Sequence, residues 1–220
     1  MRTTILLFVC LLTFCATAQE FQQQRTQVFS LTPFSKNVGQ VNGVGFGIGN
    51  GMRYLWDDED RPVTLNGLNV EINPLSPLIV LMGDPSKMSV DTPVITNNGL
   101  YIAAGGFLGN TRQNGVSVSL FNVTHVNNGI GITALFSMSQ HLNGFHISGI
   151  ANDASVCGMG VLIAPVNGAG EFTGLQVGVH NRANNITGLQ IGLINKSNGK
   201  GFQIGLWNSN GKRSFPLINW

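Results

Sequence analysis

Between residues 174 and 208 one eight-residue phrase, G-φ-Q-φ-G-φ-x-N with φ apolar, occurs three times, as GLQVGVHN, GLQIGLIN and GFQIGLWN. The copies begin at Gly174, Gly188 and Gly201, steps of 14 and 13 residues. A fixed period of this length is the signature of stacked supersecondary units, and no other feature restricts the possible folds as much. Weaker copies begin upstream at Gly158, Gly144, Gly129 and Gly115, with GLYIAAGG from Gly99 a further candidate. Two outlying segments, NGVGFGIGN at 42–50 and LNGLNVEIN at 65–73, carry similar wording.

Within a copy the apolar residues alternate. Leu189, Ile191 and Leu193 point one way, and Gln190, Gly192 and Ile194 the other. A period of two means β-strand, because a helix repeats every 3.6 residues. Val and Ile dominate the central apolar position, which suits a pleated surface. Asn closes many copies and is followed by turns such as NRANN and NKSNGK, where Asn and Gly tolerate positive φ. The expected class is all-β, a repetitive sheet of about 14-residue repeats. The pattern favours a β-solenoid over an antiparallel up-and-down barrel or meander. Two Tyr and three Trp are few for the aromatic girdles of a membrane barrel, although the terminal Trp220 is an ending common in barrels. In a solenoid, Ala183 and Ile186, or Thr124 and Val126, would supply further inward positions, and the Leu-Ile-Leu face is expected to form the shared core.

The N-terminus reads as an address. MRTTILLFVCLLTFCATAQE has one basic residue, an apolar run of about a dozen, and an A-x-A-type site before Gln19. That run is shorter than the roughly 20 residues needed to span a bilayer. Residues 1–18 are therefore expected as a signal peptide, with delivery to the periplasm, outer membrane or extracellular surface. Residues 19–41 are expected as a polar arm and 42–220 as one domain, with regular repeats over 99–220 and a Pro-rich insertion at 74–97. Without the leader Cys157 is the sole cysteine, which excludes an intramolecular disulfide. The 12 basic and 10 acidic residues are nearly balanced and the basic ones form no cluster, which argues against nucleic acid as a partner.

Those repeats, together with LNGLNVEINPL and the closing NSNGKRSFPLINW, resemble a group of uncharacterised exported proteins of Bacteroidetes-type bacteria that often end near LPxINW. Phe215 stands where that group commonly has Leu. The resemblance implies a secreted or envelope protein with a repeat fold, and it implies no catalytic residue.

Candidate chemistry is sparse. GVGFGIGNG at 43–51 lacks both the G-x-G-x-x-G register and a following Lys-Ser or Lys-Thr, so its glycines are read as permitting close sheet contact. Asp57, Asp58, Glu59 and Asp60 crowd together without the spaced pattern of a calcium loop and read as an exposed charged turn. His125, His141, His146 and His180 show no ligand spacing, and Cys157 has no evident local histidine partner. No catalytic residue, cofactor or metal is expected. The one stripe singled out is Gln176, Gln190 and Gln203, with Trp207 nearby: a ladder of amides hydrogen-bonded up the stack, or else a flat polar surface for a glycan or an envelope protein. The sequence thus points to a non-enzymatic exported protein with a structural or surface-interaction role. A membrane barrel acting as an envelope component or small channel is the alternative.

Overall fold

The computed structural model describes residues 25–35, 37–48, 62–74, 94–106 and 108–220. The expected signal peptide, the acidic run at 57–60 and most of the Pro-rich insertion lie outside them. The described residues form eleven strands: β1 Arg25–Thr32, β2 Val38–Ile48, β3 Val63–Ile72, β4 Ile95–Ala104, β5 Leu108–Ser119, β6 Asn122–Thr133, β7 Phe136–Ser148, β8 Ala151–Ile163, β9 Val166–Lys196, β10 Phe202–Ser209 and β11 Ser214–Asn219.

Each strand pairs with its sequence neighbour, and β1 to β10 all run parallel. Parallel neighbours joined in sequence order make successive coils, and the result is a β-solenoid of about ten turns with a spacing of about 15 residues. Only β11 turns back, pairing antiparallel with β10. The sheet is open, since β1 lies at one end of the order and β11 at the other. A closed barrel and an antiparallel meander are both ruled out by that topology.

Three details differ from the sequence reading. Residues 25–41, expected as an arm, supply β1 and the start of β2, so the stack begins earlier. Residues 42–48 and 65–73 belong to coils of the same stack, aligned Gly43 to Gly67 to Gly99. In the copy assigned to Gly158, the aligned glycine is Gly160, opposite Gly144 and Gly174. The insertions near 49–61 and 75–93 hid the even spacing of the first coils.

The coil turns where these glycines stack. Gly67, Gly99, Gly115, Gly129, Gly144, Gly160, Gly174 and Gly188 have φ from +114° to +144°. An added Cβ would lie 2.0–2.4 Å from the carbonyl oxygen of the glycine one coil earlier. Only a residue without Cβ allows both the dihedral and the approach.

The largest correction concerns which face is inside. Period two fixes the alternation but not its phase, and the phase is the reverse of that expected. Gln190 and Asn195 are fully buried, whereas Ile191 and Leu193 are exposed. Most of the apolar core lies across the coil from these amides, whereas Leu162 pairs with Gln176 and stands in the glutamine column. The core includes Leu142, Ala154, Leu162, Phe172, Ala183 and Ile186, with a second cluster of Phe34, Val38, Val41, Val63 and Leu65. Ala183, Ile186, Thr124 and Val126 are all buried, as the coil geometry requires.

Candidate functional site

Gln176, Gln190 and Gln203 are each 0% exposed, so they form no surface stripe. Gln190 Nε2 donates to Gln176 Oε1 at 2.7 Å, and Gln203 Nε2 donates to Gln190 Oε1 at 2.8 Å. Asn219 of β11 extends the row by donating to Gln203 at 3.1 Å. Trp207, at 54% exposed, lies outside the coil and belongs to a different surface. Amides enter because identical side chains one coil apart satisfy each other, which removes the cost of burying them alone.

A second internal ladder uses the closing Asn of each copy. Asn152 donates to Asn167 at 3.1 Å, Asn167 to Asn181 at 2.9 Å, and Asn181 to Asn195 and Asn195 to Asn208 at 2.8 Å each. The second glycine of the phrase makes room for it. A Cβ on Gly192 would come within 2.5 Å of Asn181 Nδ2, and one on Gly205 within 2.6 Å of Asn195 Nδ2. The phrase G-φ-Q-φ-G-φ-x-N therefore encodes a corner, an inward amide, a clearance and a second inward amide. Its φ positions face out.

Those outward positions build one continuous apolar face. One column runs through Phe46, Val70, Ile102, Val118, Ile132, Ile147, Ile163, Val177, Ile191 and Ile204, and a parallel one from Val44 through Ile130 and Phe145 to Phe202. Leu120, Leu135, Ile150, Val179, Leu193 and Leu206 add exposed apolar surface beside them. In the C-terminal half the face dips into a trough of about 1050 Å³, with Ala164, Gly178, Gly192 and Gly205 along it and aliphatic side chains on both sides. Leu217 and Ile218 of β11 line one end, and Leu217 is the sole non-glycine with positive φ among the described residues. The edge of the face beside the corner glycines is a hydrogen-bonded row of Asn42, Asn66, Asn98, Asn114, Asn128 and Asn143, with N···O distances of 2.7–2.9 Å. Exposed apolar patches beyond a few hundred Å² are rare on monomeric soluble proteins and mark interaction surfaces.

The opposite outer face is richer in polar groups, with Glu171, Arg182, Asn184 and Asn185 exposed and Val156 among them. There β7 and β8 pair His141 with Cys157, and His141 Nδ1 lies 3.1 Å from Cys157 Sγ. Cys157 thus has a histidine partner, 16 residues away in sequence and one coil away in space. His125 packs edge-on against His141 at 5.7 Å. Among the described residues, no three His, Cys, Asp or Glu side chains come together in a group that could hold a metal ion. His146 is inside the coil, where burial lowers its pKa from 6.5 to about 4, against the raising effect of its hydrogen bond to the Asn143 carbonyl.

β11 closes the C-terminal end. Arg213 donates through Nη2 to the Trp220 carbonyl at 2.7 Å and through Nε to Asn219 Oδ1 at 3.1 Å. Its guanidinium lies 4.4 Å from the centre of the Trp220 ring, a cation–π contact. The FPLINW ending is thereby latched to the turn that precedes it.

Compared with protein-family models, with curated proteins and with solved structures, the chain matches none of them.

Proposed function

We propose that this chain is a non-enzymatic exported protein of the cell envelope, and that its working part is the aliphatic face of the solenoid. The observation that carries the reading is the pair of apolar columns, continuous from Val44 and Phe46 in β2 to Phe202 and Ile204 in β10. A repeat that keeps its amides inside and gathers most of its outward aliphatics on one face is organised for lateral contact. The chemistry favours a protein or another apolar partner over a glycan, since a glycan site needs convergent polar groups and the columns have none. Export is supported by the signal-peptide-like first 18 residues and by the resemblance to exported repeat proteins.

The test is fractionation of cells that express the full chain with its own leader. Wild type should sediment with the envelope, and Ile132→Lys/Ile147→Lys should release it to the soluble fraction with its far-UV circular dichroism unchanged. Asn184→Lys and Ser155→Lys, on the polar side, should not. Equal behaviour of the two sets of variants would remove the proposal.

A further inference from the structure

Resting on that reading, we propose that the aliphatic face is an isologous interface with a second copy of this chain, the two solenoids packed face to face. The argument begins with area. The ten coils that carry the columns, nine steps of about 4.8 Å, span roughly 43 Å, and a face about 17 Å wide then offers on the order of 700 Å² per copy. That is about what each partner contributes to a standard stable interface.

Shape narrows the partner further. A flat sheet whose side chains recur once per coil is matched along its whole length only by a surface with the same rise, and a second copy has it by construction. Sheets pack about 10 Å apart with their inner side chains interdigitated. The trough beside Ile163, Val177, Ile191 and Ile204 is lined by aliphatic groups and runs with the coils. The adjacent ridge of a partner related by a two-fold axis that lies in the interface, parallel to the solenoid axis, fills it, and the reciprocal contact forms by symmetry.

Charge agrees. The two columns contain no ionisable residue, and the row that borders them is uncharged from Asn42 to Asn143. An anionic lipid surface recruits Lys and Arg around an apolar face, whereas an asparagine row provides neutral hydrogen-bonding groups at a protein rim. With 12 basic and 10 acidic residues in the chain, two copies repel each other weakly.

The experiment is sedimentation equilibrium of the full chain, purified without detergent, over a wide concentration range. A dimer is expected for wild type, and Val177→Glu/Ile191→Glu should weaken self-association at least 100-fold with circular dichroism unchanged. Asn184→Lys should stay dimeric. A wild type that remains monomeric at the highest concentration overturns the inference, whatever the variants do. So does a dimer that survives both glutamates, or a monomer that floats with phosphatidylcholine vesicles. If wild type is monomeric while envelope retention still depends on Ile132 and Ile147, only the second-copy inference fails. If purified dimers form but retention ignores the face, the envelope role fails and self-association stands.

Discussion

At the scale of single residues, the corner glycines and His146 have the least freedom. Ala at Gly160 would bring its Cβ 2.0 Å from the Gly144 carbonyl at a φ of +124°. Gly160→Ala should therefore cost about 3 kcal/mol or more, read as a fall in the urea midpoint. His146 makes stability depend on pH. The folded chain refuses the proton until about pH 4, whereas the unfolded chain takes it near 6.5. Stability held above pH 6.5 is accordingly lost as the pH falls towards 4, by about 3 kcal/mol. His146→Gln should lose that much less over the same interval. Part of this was readable beforehand. In the three clear copies Gln and Asn never vary, while the φ positions change among Val, Leu, Ile and Phe. Invariance marks the side that must fit its own copy, and variation marks the outside. Hydropathy alone assigned the phase the wrong way round.

At the scale of elements, the coil is the unit of stability. Asn181 connects Asn167 to Asn195 and also donates to the Ile191 carbonyl at 2.9 Å. Replacing it with Leu strands buried amide groups on both neighbouring coils, and a loss of about 2–4 kcal/mol is expected in equilibrium unfolding. Removing one whole coil is a milder operation. Deletion of residues 174–187 brings Gly188 onto Gly160 and Asn195 onto Asn167, so the shortened stack should keep its strand-type circular dichroism. Deletion of half a coil, 174–180, breaks both ladders and should abolish it. The repeat length and the strand class were legible because they depend on local periodicity. The meeting of His141 with Cys157 was not, because it depends on which residues share a column after the coil has closed.

At the scale of the whole molecule, the two ends and the two faces differ. The C-terminal edge is covered by β11, held by Arg213 against Trp220. Truncation after Ser209 would expose the edge of β10, and higher-order association is expected in light scattering. The aliphatic face makes the molecule amphipathic around its axis, as an amphipathic helix is, but with a broad flat side in place of a narrow stripe. The buried amide ladders have a thermodynamic consequence. Hydrating apolar surface raises the heat capacity, and hydrating polar surface lowers it. Unfolding this solenoid releases amides from the interior, while many of its aliphatics already touch water. The heat-capacity increment of the dissociated chain should then fall below the usual value of about 12 cal/mol/K per residue. Its stability would change slowly with temperature, and cold would weaken it less than it weakens a protein built around an oily core.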